Sequence, residues 1–291
     1  MRLCTLILSL VCVNAFAEVT TEQFNQWKLE AQKGNAAAQF NIGAALHSGD
    51  GMPKNEVDAV NWYRQSANQG LAKAQFRLGY CYSHGEGVIQ DQAEALKWYR
   101  MAADQGLAEA QYNLALFYDN GKGVSKDLPE AVKWYRKAAE QGLAAAQFSL
   151  GGCYSFGEGV LKDPAEALKW YRKAAEQGDE LAQFNLGWLY YNGYSVSKDF
   201  NEAVTWYRKA ADQGHAKAQL QLGLCYLDGD GVSKNPIEAY GYFCLAGASN
   251  ETARINRDLL EKQMTPSQIE AGQKRSKELQ KEIGAKIDAK K

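Results

Sequence analysis

Proline is scarce, five residues in 291, and so few helix breakers suit a mostly helical chain. A charge excess is also missing. Lys and Arg total 33 against 34 Asp and Glu, which excludes a bulk attraction for nucleic acid or anionic lipid. The apolar run Leu3–Val13 is about half the roughly 20 residues that a membrane-spanning helix needs.

That run has a different explanation. Arg2 precedes it, and Ala15-Phe16-Ala17 places small residues at the −3 and −1 positions of a cleavage site. Together they predict a signal peptide over 1–17, and export of the mature chain to the periplasm or beyond. No membrane insertion is expected after cleavage. Cys12 follows Val11, where a lipid-anchor motif would carry a small residue.

What the chain does have is a repeat. Trp62, Trp98, Trp134, Trp170 and Trp206 recur every 36 residues, and Tyr242 takes the next step. Gly34, Gly70, Gly106, Gly142, Gly178 and Gly214 keep the same period. Six units therefore fill 35–250 without insertion, which is solenoid logic. Each unit reads as two helices. The first carries apolar residues at helical spacing, as in Phe76, Leu78 and Tyr82, and stops at a glycine such as Gly85, Gly121 or Gly157,. The second opens at Asp91, Asp127, Asp163 or Asp199, each three residues before a Glu, with Asn55/Asp58 and Asn235/Glu238 as variants. This spacing predicts reciprocal capping boxes.

Gly79, Gly151, Gly187 and Gly223 fall inside first helices, at a cost of about 1 kcal/mol each relative to Ala. The repeated cost predicts close approach of the paired helix, where Ala115 is also accepted. The Trp-Tyr pair, such as Trp98-Tyr99, sits at core spacing with Ala95 and Ala102 and is expected to pack rather than bind. Residues 18–34 predict a capping helix built on Phe24, Trp27 and Ala31,. Residues 251–291 predict two further helices and a polar tail that frays from Lys281 onward.

Ala-Gln-x-x-Leu-Gly-x-x-Tyr, Gly-x-Gly-Val, Asp-x-x-Glu-Ala and Trp-Tyr-x-x-Ala-Ala follow one another in these units. This pattern resembles the Sel1-like repeat, a relative of the tetratricopeptide repeat. The resemblance implies an all-α, right-handed superhelical solenoid whose first helices line a concave, partner-binding face. Two units depart from it: Ser195 replaces the second loop glycine of the fifth, and Tyr242 and Asn250 replace the Trp and Gly of the sixth.

The mature cysteines are Cys81, Cys153, Cys225 and Cys244. The first three share one repeat position 72 residues apart, well beyond the roughly 7 Å limit of a disulfide. Free thiols are expected, and only a Cys225–Cys244 bridge stays open. Cysteine-rich relatives pair cysteines across the join between units, at positions that hold alanine and other apolar residues here. His47, His84 and His215 occupy different repeat positions, so neither a metal site nor a His-based triad is expected, nor any cofactor. Ser195-Val196-Ser197-Lys198 has the spacing of a serine acyl-enzyme motif,, yet lies between helices. Asp228-Gly229-Asp230-Gly231 lacks the continuing ligands of a calcium loop,.

Recognition is expected where the units disagree. Asn41, Arg77, Asn113, Ser149, Asn185 and Gln221 all precede the Leu-Gly step or its equivalent and can hydrogen-bond. By the resemblance this register faces a bound peptide, whose amides asparagine can match. Tyr80, Trp188, Tyr191 and Leu224 add an aromatic and aliphatic patch nearby,. A solvated face with ordinary variation accounts for the same residues equally well. The expected function is a protein- or peptide-binding scaffold, not an enzyme, in a signalling, regulatory or host-interaction role. A peptidoglycan- or β-lactam-directed hydrolase, as attributed to cysteine-rich relatives, and an oligomerising envelope component are the alternatives.

Overall fold

The computed structural model describes residues 19–289, so the expected signal peptide lies outside the described residues. The described residues are helical, with no strand among them. α1 (Thr21–Gln32) stands alone. Twelve helices follow in chain order, two to each repeat: α2 (Ala36–Ser48) and α3 (Glu56–Asn68), α4 (Ala72–His84) and α5 (Gln92–Asp104), α6 (Ala108–Asn120) and α7 (Leu128–Glu140), α8 (Ala144–Phe156) and α9 (Pro164–Glu176), α10 (Glu180–Asn192) and α11 (Phe200–Ala211), and α12 (Ala216–Asp228) and α13 (Pro236–Ala246). α14 (Glu251–Glu261) and α15 (Pro266–Asp288) close the chain. Two compact units divide it, Met1–Asp127 and Leu128–Lys291.

In the first unit the close approach is made by a tyrosine. A Cβ on Gly43 would stand 2.8 Å from the Tyr63 ring, and one on Gly79 3.0 Å from Tyr99. Both rings are 1% exposed, so the glycines are what let the rings in. α1 lays Phe24 and Trp27 over Ala38 and Ile42, which caps the first pair. Each first helix stops on a left-handed glycine, Gly49 at φ 77° and Gly85 at φ 76°.

The second unit repeats the scheme. Gly151 faces Tyr171, Gly187 faces Tyr207 and Gly223 faces Phe243, at 2.8, 2.7 and 2.4 Å from a hypothetical Cβ. Trp134, Trp170, Trp206 and Tyr242 are all buried, as core spacing predicts. α15 doubles back. It packs along α13, with Gly272 against Tyr240, Arg275 paired with Glu238 at 2.8 Å and Lys286 with Asp212 at 2.7 Å. The fraying expected from Lys281 is therefore corrected: the helix continues to Asp288 and buries Ile283. An apolar residue every fourth position holds that end down despite its lysines.

The capping boxes are half formed. Asp91, Asp163 and Asp199 each accept two amides of the first turn. The return bond from the Glu is replaced, because the cap's own N–H already donates to a first-helix carbonyl: Asp91 to Tyr82 at 2.9 Å, Asp163 to Tyr154 at 3.0 Å, Asp199 to Tyr190 at 3.0 Å. Glu94 and Glu166 are released to pair with Lys97 and Lys169. The reciprocal box occurs at Thr265–Gln268.

A buried glutamine ties neighbouring repeats. Within the first unit Gln75 donates to the Ala67 carbonyl at 3.2 Å, and Gln105 donates back to Gln75 at 2.7 Å. Within the second, Gln147 donates to Ala139 at 3.1 Å and accepts from Gln177 at 2.7 Å. These carbonyls end second helices, where four acceptors lack intrahelical partners.

Candidate functional site

Each first helix is preceded by a cap residue, and the sixth and ninth residues after it fall on one face. In the first unit these are Asn41 and Ala44, Arg77 and Tyr80, Asn113 and Leu116. Asn41 and Arg77 are half-buried. Tyr80 stacks on His84, ring centroids 4.0 Å apart. Asn113 is buried, and its amide donates to the Glu109 carbonyl one turn back at 2.9 Å. That local bond occupies the amide a peptide would need, so the ladder of free asparagines is interrupted there. His47 sits 3.4 Å from Glu86 of the next loop, and burial holds its pKa below the usual histidine range.

In the second unit the same positions hold Ser149 and Gly152, Asn185 and Trp188, Gln221 and Leu224. Ser149, Asn185, Gln221 and Leu224 are half-buried. Trp188 is 43% exposed and stacks on Tyr194, which is 56% exposed, with centroids 5.1 Å apart and planes 15° from parallel. Phe156, the last residue of α8, is 74% exposed. Tyr191 has a different use. Its hydroxyl donates to Asp230 at 2.7 Å and its ring meets Phe200 edge-on, so it ties the fifth repeat to the loop of the sixth. Burial and Asp230 push its pKa up.

A cleft of about 70 Å³ opens here, lined by Ser155, Phe156, Tyr171, Asn185, Trp188 and Leu189. Its floor is the Tyr171 hydroxyl, hydrogen-bonded by Ser155 and Asn185, with burial raising the phenol to about 12. Gly152 adjoins the Tyr171 hydroxyl that lines the cleft. Unlike Gly151 beside it, Gly152 needs no close approach: an added Cβ would meet the Tyr171 hydroxyl at 3.8 Å, ordinary contact. A mid-helix glycine costs about 1 kcal/mol relative to Ala, and no packing contact offsets it at this position.

Backbone strain lies next to the same patch. Ser195 is the non-glycine residue with positive φ among the described residues, at 63°. Gly87, Gly123, Gly159 and Gly231 hold the equivalent conformation in other loops, where a Cβ would fall 2.2–2.5 Å from a carbonyl oxygen of the preceding second helix. Left-handed backbone costs a residue with a Cβ about 1–2 kcal/mol. Ser195→Gly is therefore expected to stabilise the protein by up to about 1 kcal/mol after the glycine's extra unfolded-state entropy. Urea unfolding checks this, and an unchanged or lower midpoint would mean that the loop has relaxed around the serine.

Chemistry at this loop is unsupported by its geometry. Ser195 is in a bend and the Lys198 ammonium lies 4.5 Å above the Phe200 ring, not one helical turn from a nucleophile. Cys81, Cys153, Cys225 and Cys244 are free. Burial raises the Cys81 and Cys225 thiols to about 12, far from the range of a nucleophilic thiolate. No cluster of three or more metal-ligating side chains occurs among the described residues, and Asp230 is engaged by Tyr191.

Sequence reasoning placed Trp188 in the patch but missed Phe156 and Tyr194. The signal was present. Phe156 shares its repeat position with Ser48, His84, Asn120, Asn192 and Asp228, and Tyr194 shares its own with Asp50, Glu86, Lys122, Glu158 and Asp230.

The Sel1 repeat family model matches residues 36–71, 72–107, 108–143, 144–179, 181–215 and 216–251. The chain is similar to the crystal structure of a Sel1 repeat protein from Oxalobacter formigenes, 38% identical, with a TM-score of 0.68 over 77% of this chain and 92% of that one. It is also similar to c5321, a protective antigen of uropathogenic Escherichia coli with an SLR fold, 26% identical, TM-score 0.48, over 92% of this chain and 81% of that one. No curated protein matches.

Proposed function

The chain belongs to the Sel1 repeat family, and from that premise we propose that it is a non-enzymatic scaffold that binds a protein partner through its first-helix face. The observation that carries this reading is the exposed aromatic group Phe156, Trp188 and Tyr194. Three large rings, two of them (Phe156 and Tyr194) at repeat positions otherwise occupied by polar residues, are the composition of a binding hot spot. Asn185 and Gln221 supply amides beside them. Gly152 and Ser195 fit the same reading, since each departs from local stability next to the patch.

The partner acts outside the cytoplasm in this proposal. Arg2, the apolar run to Val13 and the Ala15–Ala17 site support export,, followed by a role in the envelope or towards a host.

A photo-crosslinking amino acid at position 156 should trap a discrete protein in the native cell envelope. The same amino acid at Thr205, exposed on α11, should not. Equal trapping at both positions, or none at 156, would remove this reading.

A further inference from the structure

We propose that the cleft between Phe156 and Trp188 is an arginine pocket, taking one guanidinium side chain of an extended basic segment. This rests on the binding role proposed above and names the chemistry it selects.

Three independent features converge on a planar cation. The lining is aromatic: Phe156 and Trp188 both face the cleft, and Trp188 is held by its stack on Tyr194. Faces of this kind attract a guanidinium by stacking and by the ring quadrupole. The floor accepts hydrogen bonds. Tyr171, Ser155 and Asn185 each carry an oxygen, and a guanidinium brings five donors in one plane. None of the six lining side chains is charged, so nothing in the cleft itself repels a cation.

The rim supplies the complementary sign. α8, α10 and α12 all end along this edge, none has a basic residue in its last turn, and helix C-termini carry partial negative charge. Glu158 follows the cap of α8, Asp228 ends α12 and Asp230 lies two residues on. The lysines of the same loops are Lys162, Lys198 and Lys234; Lys198 is drawn over the Phe200 and Tyr191 rings, and Lys234 packs against Gly229 at the end of α12. A side chain at Gly152 would start 3.8 Å from the Tyr171 hydroxyl that lines the cleft. Other repeats hold Leu116 and Leu224 at that position, and the volume of about 70 Å³ suits a guanidinium head rather than a larger ring.

The test uses the full mature chain and a fluorescein-labelled decapeptide of alternating Gly and Arg, compared with versions carrying citrulline or Lys. Citrulline keeps the shape and removes the charge, whereas Lys keeps the charge and removes the plane. The Arg peptide should bind at least about 10-fold more tightly than the citrulline peptide and several-fold more tightly than the Lys peptide. Trp188→Ala should weaken it by about 10-fold. Gly152→Leu should abolish the preference for Arg by crowding the Tyr171 hydroxyl, while the protein stays folded, because an added Cβ meets that hydroxyl at an ordinary 3.8 Å.

Equal binding of the Arg and citrulline peptides overturns the proposal, as does Gly152→Leu binding the Arg peptide at full strength. If the peptide fails while crosslinking at position 156 still traps a partner, the arginine pocket is wrong and the scaffold reading stands. If both fail, the face itself is not the site.

Discussion

Leucine at position 151 is expected to destabilise the protein by about 3 kcal/mol, while leucine at position 152 stabilises it by up to about 1 kcal/mol. The two residues are neighbours in one helix and start from the same amino acid. They differ in what lies beyond the hydrogen that a side chain would replace. At Gly151 the Tyr171 ring stands 2.8 Å from a Cβ, and that ring is 3% exposed, so it has nowhere to retreat. Overpacking a closed core typically costs about 1–3 kcal/mol in all, and four added carbons place the change at the upper end. At Gly152 nothing but the Tyr171 hydroxyl is within 4 Å, and leucine is a far better helix former than glycine. Urea unfolding followed by helical circular dichroism reads both. Equal effects at the two positions would mean that helix propensity, not the tyrosine, decides the sign.

That contrast marks how far sequence reasoning reaches. The mid-helix glycines announced a close approach because they recur, and recurrence at 36 residues turns a weak local signal into a strong one. The ring they admit was named only as core, since spacing alone does not say which residue of the facing helix arrives. Gly152 shares its repeat position with Ala44, Tyr80, Leu116, Trp188 and Leu224, a row too variable to announce anything. A glycine that breaks a pattern and one that makes it look alike in a single sequence. They separate once the surrounding atoms are placed.

Other features were hidden for the same reason. The buried glutamine sits inside the Ala-Gln-Phe signature, but its bond to the preceding second helix is a tertiary contact eight residues back. A sequence scan reads it as a polar residue at a helix start. The Asp-to-Glu spacing predicted reciprocal boxes, and local rules were right about the cap and wrong about the Glu, because the competing carbonyl comes from the other helix. Asn113 shows the converse case, an exposed-looking asparagine satisfied by its own backbone. Repeat spacing alone kept Cys81, Cys153 and Cys225 apart and left a Cys225–Cys244 bridge open; all four thiols are free.

His215 carries the second large effect. It is the cap of α12, its Nδ1 accepting the Ala218 amide at 3.2 Å, and it stands where Asn35 and Asp179 cap α2 and α10. A protonated imidazole has no lone pair to accept that bond. Burial, and then the Lys217 charge, hold its pKa down to about 4 against 6.5 for a free histidine. The folded value is the lower one, so between these limits the unfolded chain binds the proton and the folded chain resists it. The contribution to stability is complete above pH 6.5, falls as the pH drops towards 4, and changes no further below that. The loss is expected to reach about 2 kcal/mol, less than the full shift implies because part of the ring meets solvent. His215→Asn keeps an acceptor at the cap and removes the titration. Its stability relative to the parent should therefore rise by about 2 kcal/mol between pH 7.5 and pH 4.5, read as the difference in urea midpoints. A difference between the two proteins that stays constant with pH would show that the cap tolerates the proton.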